Sequence, residues 1–405
     1  MLEAPGHRYL VRQFLISGVG LLATLSTHAQ QNFNPVYKLI VPGCEYAHIQ
    51  TTNSNSEPLS IHIARLDRSA KDLHVVSVLS QNEIFGNAPL SVIAKTVPQH
   101  MGAPQALINT GFCINKKDTY YGMPRGIVIT DRELAHGPYD YSFWVNKDGA
   151  MKFGKVESKF NVRLGKGATF PIGLNQECKS NEIVLFTPKL GKSTRATNNL
   201  ELVLEDEKGK ELFWRAGQSY SLRIKAINPS GNSSLSNAVA VLSFGAGIAE
   251  KAGKLRAGDK IKLELATSPD ISRAITASEC IFPIVQKGEV LKEFDATKYM
   301  LQKHPRTAIG FNPRYFFMVV VDGRKKELSI GMKPDELGLL MTGLGCVEAM
   351  NLDGGGSSTF WSDGKTRNSV AGSRERDRSD ALVIVRETPK KISQNQGSTK
   401  TGSTQ

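Results

Sequence analysis

The stretch PDELGLLMTGLGCVEAMNLDGGGSST, from Pro334 to Thr359, predicts a helix, a buried strand and a glycine loop in direct succession. Pro334 suits the first position of a helix, which we expect to begin near Lys333. The apolar residues that follow recur at helical spacing, namely Leu337, Leu340, Met341 and Leu344. The run from Cys346 to Leu352 is typical of a buried strand. The glycine loop therefore leaves the end of a strand, which is a common place for binding residues.

The glycine loop is suited to hold an anion. Gly354, Gly355 and Gly356 permit positive φ and the close approach of a ligand, and successive N–H groups in such a loop form a concave anion site. Ser357 and Ser358 add hydroxyl groups that suit phosphate or sugar oxygens. We therefore predict that these five residues bind substrate. A tight turn without a ligand is the alternative that the motif alone leaves open.

Short β-type segments bounded by turn residues alternate from about Val36 to Arg386. The clearest of them are residues 59–67, 73–80, 105–109, 126–130, 141–146, 182–187, 200–206, 219–227, 259–267 and 315–322. Together with the helix, they predict an α+β fold of β-rich mixed sheets with a few helices. We expect one large domain of residues 30–386.

The N-terminus has the parts of a secretory signal. Basic residues precede the apolar run from Phe14 to Leu25, and small residues follow at Thr27 and Ala29. We expect residues 1–29 to be removed near Ala29 and the protein to be secreted or periplasmic. A buried N-terminal helix is the alternative.

The C-terminal residues 387–405 are rich in Lys, Ser, Thr, Gln and Gly. They have almost no apolar content with which to form a core. This composition predicts a disordered tail.

The formal net charge of +13 favours an anionic partner. The basic residues are spread along the chain, and no motif of a nucleic-acid-binding protein is present. No internal stretch approaches the roughly 18 uninterrupted apolar residues of a membrane span. A secreted basic protein commonly meets anionic glycans, wall polymers or phosphorylated sugars, and charge alone does not choose among them. We therefore expect one of these as the partner, with no nucleic acid and no membrane span.

Five cysteines would meet an oxidising compartment after export, where disulfides persist. They are Cys44, Cys113, Cys178, Cys280 and Cys346. An odd number leaves at least one unpaired, and the wide spacing argues against a C-x-x-C metal or redox site. We expect up to two disulfides, with the pairing left open.

Polar residues also occur beside other apolar strands. The segment INTGFC places Asn109, Thr110 and Gly111 at the end of a strand, and HPRTAIGFN contributes Arg306 and Thr307 after a proline. Arg306 can bind an oxyanion through two N–H groups. Because binding loops on a rigid scaffold have this pattern, we predict that these residues bind substrate or act in catalysis. A turn role for Asn109 and a solvated charge for Arg306 are the alternatives.

Three carboxylates are candidates for catalysis. Asp353 lies in the glycine loop, Glu348 lies in the strand before it, and Asp322 ends the apolar strand of VVVDGR. Asp353 and Glu348 are close in sequence to a ligand held by the loop, whereas a turn role is the alternative for Asp322.

These segments together resemble the phosphodiester glycosidase domain family. The resemblance rests on INTGFC, GMPRGIVI, LFTPKLGKST, HPRTAIGFN, VVVDGR, the block from Leu328 to Trp361 and the closing RDRSDALVIV, in this order. These segments cover nearly the whole chain after residue 29.

The resemblance implies an exported hydrolase that cleaves an α-glycosyl phosphodiester at the bond between the anomeric carbon and oxygen. Arg306 and the amides of Gly354–Gly356 would stabilise the departing phosphate. A carboxylate would activate water or stabilise the oxocarbenium-like carbon. The candidates for it are Asp353, Glu348 and Asp322. Asn109 would hold the sugar hydroxyls or the carboxylates in place.

Two segments depart from the family pattern, and one of them, ITASECIFPI from Ile275 to Ile284, lacks the glycine pair expected before an apolar strand. Where the family reads N-G-G-F-F, this chain reads N-T-G-F-C, so that Thr110 stands where a glycine is usual. Two alternatives therefore remain. One is a catalytically inactive domain that binds anionic glycans, and the other is a metal-assisted phosphodiesterase with Asp322, Glu348 and Asp353 as oxygen ligands. Whether Ca²⁺ or Mg²⁺ binds near the loop is left open.

Overall fold

The computed structural model of the chain describes residues 33–115, 119–207, 210, 212–236 and 238–388. The predicted signal, residues 1–29, lies outside these ranges, and so do residues 389–405 of the predicted tail. The signal, the tail and the domain limits all stay predictions.

The described residues form 26 β-strands and two α-helices. The strands are β1 (Lys38–Val41), β2 (Cys44–Thr52), β3 (Pro58–Asp67), β4 (Leu73–Leu79), β5 (Ala103–Asn109), β6 (Val128–Thr130), β7 (Glu133–His136), β8 (Tyr141–Asn146), β9 (Met151–Lys155), β10 (Glu157–Leu164), β11 (Thr169–Pro171), β12 (Gly173–Leu174), β13 (Ile183–Phe186), β14 (Leu200–Asp206), β15 (Ser219–Asn228), β16 (Ala240–Phe244), β17 (Lys260–Ser268), β18 (Ala274–Glu279), β19 (Phe282–Gln286), β20 (Glu289–Val290), β21 (Arg306–Phe311), β22 (Tyr315–Val321), β23 (Glu348–Asn351), β24 (Phe360–Ser362), β25 (Lys365–Thr366) and β26 (Asp380–Arg386). The helices are α1 (Leu90–Thr96) and α2 (Pro334–Gly343).

The strands form four sheets. Sheet I has the order β1-β2-β3-β22-β21-β23-β19-β20, and sheet II has the order β25-β24-β5-β26-β4. Sheet III is β7-β6-β18-β8-β9, and sheet IV is β11-β10-β17-β15-β14-β16-β13-β12.

The prediction of a mainly β chain is confirmed, and every predicted strand is present. The α+β label is only roughly compatible, since the described part of the chain is nearly all β. Sheet IV is a mixed sheet, because β12 and β13 pair in parallel within it, whereas the other named pairs of the described ranges are antiparallel. Short connections produce antiparallel hairpins such as β2–β3 and β21–β22.

The core that positions the site is a stack of four layers, in the order α2, sheet I, sheet II and α1. Met318 and Val320 of sheet I share one buried cluster with Ile108 and Ile384 of sheet II. The other face of sheet I packs against α2. The other face of sheet II packs against α1. Both sheets are therefore covered on both faces, which makes them a rigid scaffold for the loops at their edge.

The helix predicted near Lys333 is confirmed as α2. Pro334 occupies its first turn, and the carboxylate of Glu336 accepts a hydrogen bond of 2.7 Å from the backbone N–H of Lys333. This contact satisfies one of the free donors at the start of the helix. Leu337, Leu340 and Met341 are fully buried, as the apolar spacing predicts.

Several strand ends meet at one edge of the two-sheet core. In sheet I, β23 ends beside the start of β21, with Asn351 paired to Ala308. In sheet II, β5 ends beside the start of β26, with Asn109 paired to Ala381. Glu279, the last residue of β18, packs against Gly111 just beyond β5. Polar residues that are far apart in the sequence are thus brought to a common edge.

All five cysteines lie in the described residues, and all five are free. Cys44, Cys280 and Cys346 are buried in apolar clusters, where burial raises the pKa of each thiol. The expectation of up to two disulfides is therefore corrected, because these side chains serve as small apolar core residues instead.

No helix within the described ranges is long and apolar enough to cross a membrane.

Candidate active site

A cavity of about 720 Å³ lies at the common edge of the sheets. The glycine loop, with Asn351 to Ser357, forms one wall, and residues 372–378 form another. The remaining lining comes from residues 112–115, from Asn87, Tyr121, Gly122, Tyr299 and Met300, and from His304, Arg306 and Arg324. The predicted residues Asp353, Gly354–Gly356, Ser357 and Arg306 are therefore brought together around one cavity.

The glycine loop presents backbone donors to this cavity. The N–H of Gly355 donates to the carbonyl of Pro305 at 2.8 Å, and Gly355 has a φ of +63°. The N–H groups of Gly354 and Gly356 have no partner in the described part of the chain. These two amides are the donors that a bound anion can use.

Two guanidinium groups lie directly against the loop. A Cβ atom on Gly355 would lie 2.9 Å from Nη2 of Arg324, and one on Gly356 would lie 2.5 Å from Cζ of Arg376. A Cβ atom on Gly354 would lie 2.6 Å from the carbonyl oxygen of Pro305. Gly354 is therefore required by the backbone of Pro305 and Gly355 by its positive φ, whereas a side chain at Gly356 would meet only the movable end of Arg376.

Asp353 forms a buried ion pair with Arg378, a residue that the sequence reasoning did not single out. The distance from Oδ2 of Asp353 to Nη1 of Arg378 is 2.9 Å. Arg378 also donates to the hydroxyl of Ser357 at 3.0 Å and to the carbonyl of Gly111. The side chain of Asp353 remains 14% exposed, which leaves it accessible to a ligand in the cavity.

The predicted substrate contacts Asn109, Thr110, Gly111, Thr307 and Ser358 are placed differently from the expectation. None of these side chains lines the cavity. They lie beneath the glycine loop and are buried or nearly so. The structure therefore assigns them to support of the loop rather than to contact with substrate.

Asn109 is the centre of this support. Its Nδ2 donates to the carbonyl of Asp353 at 2.7 Å, and its Oδ1 accepts from the hydroxyl of Thr307 at 2.9 Å and from the N–H of Thr359 at 3.2 Å. The carbonyl of Thr110 accepts from the N–H of Asp353 at 3.0 Å. The backbone of Asp353 is therefore fixed on both sides.

The unusual Thr110 does not fill the cavity. Its hydroxyl donates to Oδ2 of the buried Asp380 at 2.8 Å. Burial raises the pKa of Asp380, although the bond from Thr110 and the charge of Arg378 act against this. The side chain that replaces the usual glycine thus satisfies a buried carboxyl group.

Arg306 lines the cavity, but its donors are largely used by backbone carbonyls. Its Nε donates to Met332 at 2.8 Å, and its Nη2 donates to Met300 at 2.7 Å and to Gln302 at 2.6 Å. Burial lowers the pKa of Arg306 to about 10. The prediction that Arg306 binds an oxyanion through two N–H groups is therefore corrected. Arg306 instead fixes the segment of residues 299–303, which forms part of the cavity wall.

Asp322 lies outside the cavity lining and is fully engaged. Its Oδ2 accepts from the hydroxyl of Ser60 at 2.8 Å and lies 3.2 Å from Nε2 of His62. Its Oδ1 accepts from Nδ2 of Asn368 at 3.1 Å and from the N–H of Ser369 at 2.9 Å. Burial tends to raise the pKa of Asp322, but hydrogen bonds from His62, Ser60 and Asn368 outweigh it and lower the pKa.

This network corrects the catalytic prediction for Asp322. Asn368 donates to the carbonyl of Ser358 at 3.1 Å and accepts from the N–H of Phe360 at 2.7 Å. Asp322 therefore positions Asn368, which is hydrogen-bonded to the backbone just after the glycine loop. The role of Asp322 is structural.

Glu348 is also corrected, because it lies at the far end of β23. It is paired with Phe311, and its Oε1 accepts from the N–H of Lys287 at 3.2 Å. It lies three positions before Asn351 along the strand, which corresponds to about 10 Å. It does not line the cavity.

Glu279 is the acidic residue that sequence reasoning missed. It is buried against Gly111 and Gly126, its Oε1 lies 3.7 Å from Nε of Arg125, and its Oε2 has no hydrogen-bond partner in the described part of the protein. Burial raises the pKa of Glu279 to about 8; Asp380 and Asp353 raise it further, while Arg125 and Arg378 lower it. Glu279 is therefore uncharged near neutral pH.

The three carboxylates suggested as metal ligands do not converge. Asp353 faces the cavity, Asp322 is enclosed by its own donors, and Glu348 lies at the other end of its strand. Within the described ranges, no group of three or more His, Cys, Asp or Glu residues is placed to hold a metal ion. This particular ligand set is therefore not formed.

Comparison with solved structures supports the fold. A hypothetical protein from Synechocystis superimposes with a TM-score of 0.69 at 19% identity, over 87% of this chain and 64% of that chain. The catalytic domain of zebrafish N-acetylglucosamine-1-phosphodiester alpha-N-acetylglucosaminidase, auto-inhibited by its pro-peptide, aligns with a TM-score of 0.44 at 15% identity, over 88% of this chain and 85% of that one. This second TM-score lies below the level at which a shared fold is inferred.

Comparison of sequences gives two further matches. The SPbeta prophage-derived uncharacterized protein YomE of Bacillus subtilis (strain 168) is 39% identical over 83 residues, which is 20% of this chain and 13% of that protein. The chain thus spans a small part of that relative. Residues 222–385 match the family model described as phosphodiester glycosidase, a range that includes the glycine loop and Arg378. The resemblance to the phosphodiester glycosidase family is therefore confirmed over residues 222–385 of this chain.

Proposed function

We propose that the chain is a hydrolase that cleaves an α-glycosyl phosphodiester at the bond between the anomeric carbon and the phosphate oxygen. The observation that carries this proposal is the shared cavity, in which the carboxylate of Asp353 stands beside free amides and arginines. The family match supports glycosidase chemistry in general. The proposed substrate is a phosphorylated glycan or a wall polymer.

The cavity suits this reaction because phosphate is a good leaving group. A site for it needs little general acid and much stabilisation of the departing anion. The amides of Gly354 and Gly356 and the guanidinium groups that line the cavity would supply that stabilisation. The segment of residues 299–303, fixed by Arg306, would close one side of the sugar site.

Asp353 is the carboxylate proposed to act on the sugar. Its Oδ2 is held by Arg378, and its Oδ1 has no partner in the described part of the chain. That second oxygen can take a proton from water or face the positively charged anomeric carbon in the transition state. The fixed backbone of Asp353 would keep this geometry before substrate binds.

Glu279 would assist binding of the anionic substrate by remaining uncharged. A negative charge beneath the loop would repel the anionic substrate and compete with it for Arg378. The raised pKa of Glu279, near 8, avoids this at neutral pH.

We also propose that the chain is exported, on the evidence of the signal-like pattern in residues 1–29. N-terminal sequencing of the protein recovered from the periplasm or the medium is expected to begin just after Ala29. Recovery of the protein with its first 29 residues intact, in the cytoplasm alone, would contradict export.

Hydrolysis in heavy-oxygen water tests the bond that is broken. With a sugar phosphodiester such as UDP-N-acetylglucosamine as substrate, we expect mass spectrometry to find the label in the sugar and not in the phosphate product. Label in the phosphate would show attack at phosphorus and would exclude the proposed reaction.

Replacing the proposed catalytic carboxylate tests the site. The change Asp353→Asn keeps the shape of the side chain but removes its charge, and we expect kcat/KM to fall by about 10²- to 10⁴-fold. The matched control is Glu348→Gln, which we expect to retain wild-type kcat/KM because Glu348 lies outside the cavity. Equal losses in the two variants would contradict the assignment of Asp353.

The raised pKa of Glu279 predicts an alkaline limit to activity. Glu279 is neutral below about pH 8 and gains a negative charge above it, so kcat/KM is expected to fall as the pH rises through this value. In Glu279→Gln the limb near pH 8 should be absent, while kcat/KM at pH 7 stays close to that of the wild type. A pH profile with the same limb in both proteins would rule out this role.

A further inference from the structure

The cavity carries more positive than negative charge. Five arginines and three carboxylates line it, which leaves an excess of two positive charges. The arginines are Arg306, Arg324, Arg374, Arg376 and Arg378, and the carboxylates are Asp353, Glu375 and Asp377. Burial lowers the pKa of His304, so this residue adds no charge near neutral pH.

Three of the arginines are already occupied within the protein. Arg378 is paired with Asp353 at 2.9 Å, and Arg374 is paired with Asp377 at 3.4 Å. Arg306 donates to three backbone carbonyls. These side chains have few donors left for a ligand.

Arg324 and Arg376 are different, since neither has an acidic partner in the described residues. Arg324 donates to the hydroxyl of Tyr299 at 2.8 Å and lies 3.4 Å from Nδ1 of His304. Arg376 has no hydrogen bond or ion pair within the same ranges. Both side chains are exposed to the cavity and to solvent.

Both guanidinium groups lie against the glycine loop. They contact successive glycines, Gly355 and Gly356, whose Cα atoms are about 3.8 Å apart. The backbone of Arg324 has a φ of +61°, an unfavourable conformation for a residue with a side chain, and it places this charge over the loop. An anion held against the loop would meet both unpaired guanidinium groups.

We infer that Arg324 and Arg376 form a seat for a phosphate dianion, so that they bind the departing phosphate monoester more tightly than the phosphodiester substrate. This inference rests on the proposed function and adds to it the charge state that the site prefers. Two unpaired positive charges match a monoester dianion, whereas a phosphodiester carries a single negative charge.

The charge balance of the proposed reaction gives this preference a role. A water oxygen bonds to the anomeric carbon, and the bond from that carbon to the phosphate oxygen breaks. The electron pair of the broken bond goes to the phosphate, which changes from a singly charged diester to a doubly charged monoester, and water gives up one proton. Groups that bind the second charge act mainly in the transition state and accelerate the chemical step.

A binding measurement tests the seat without any need for turnover. Methyl phosphate is a monoester that becomes a dianion above a pKa of about 6, whereas dimethyl phosphate is a single anion throughout. By isothermal titration of the full chain at pH 7.5, we expect methyl phosphate to bind at least about tenfold more tightly, the scale of one added charged hydrogen bond. At pH 5 this advantage should largely disappear.

Variants identify the residues responsible. We expect Arg324→Gln and Arg376→Gln each to weaken methyl phosphate binding at pH 7.5 by about 10- to 100-fold, and to affect dimethyl phosphate much less. Arg163→Gln, which removes an exposed arginine of β10 in sheet IV, is the matched control and should bind as the wild type does. If a variant fails to fold, the loss of the methyl phosphate preference between pH 7.5 and pH 5 in the wild type still tests the preference for a dianion.

Three outcomes would overturn the inference: equal affinity for the two phosphates at pH 7.5, no binding of either, or equal weakening of both in the variants. Each is separate from failure of the proposed function, which would show as label in the phosphate during hydrolysis. If methyl phosphate binds more tightly but the label appears in the phosphate, the phosphate-binding role of Arg324 and Arg376 would stand and the glycosidase reaction would be excluded.

Discussion

The ion pair between Arg378 and Asp353 is the interaction on which the cavity depends. Arg378 is almost fully buried, and a buried guanidinium without acceptors costs several kcal/mol. Its acceptors lie on different parts of the chain: Asp353 and Ser357 in the glycine loop, and Gly111 beyond β5. Satisfying this one charge therefore fixes sheet I, sheet II and the segment before β26 relative to each other.

The three glycines beside Asp353 follow from the same crowding. Side chains at Gly355 and Gly356 would occupy the positions of the Arg324 and Arg376 guanidinium groups, and one at Gly354 would meet a carbonyl oxygen. The flexible residues of the loop are thus held rigid by their surroundings. Their lack of a side chain allows charge to concentrate where a small anion can reach it, as catalysis by electrostatic stabilisation requires.

Local sequence patterns predicted the strands and the long helix well, but they predicted the positions of the polar side chains in the fold only in part. β8 and β14 have the predicted bounds, because alternation and turn residues are local signals. Asp353 and Asp322 look alike in the sequence, since each follows an apolar strand, but one faces the cavity and the other meets Ser60 and His62. That difference depends on sheet order, which is a long-range property.

The missed residues have the same explanation. Glu279 carries no local signal, because its burial depends on contact with Gly111 and Gly126, which are far from it in the sequence. Arg378 belongs to a charged segment that resembles a solvated loop until β26 is inserted into sheet II. Arg306 was correctly expected near the cavity, but its acceptors are backbone carbonyls of a neighbouring segment, which side-chain patterns do not reveal.

The position of β26 has a consequence for biosynthesis. This strand is inserted between β4 and β5, so an element made late in translation completes a sheet begun by early ones. Until residues 376–386 have emerged from the ribosome, the nascent chain lacks both Arg376 and Arg378, and the aspartate of the loop has no counter-ion. Folding must therefore join segments that are distant in the chain, and the cavity is incomplete until β26 has been made.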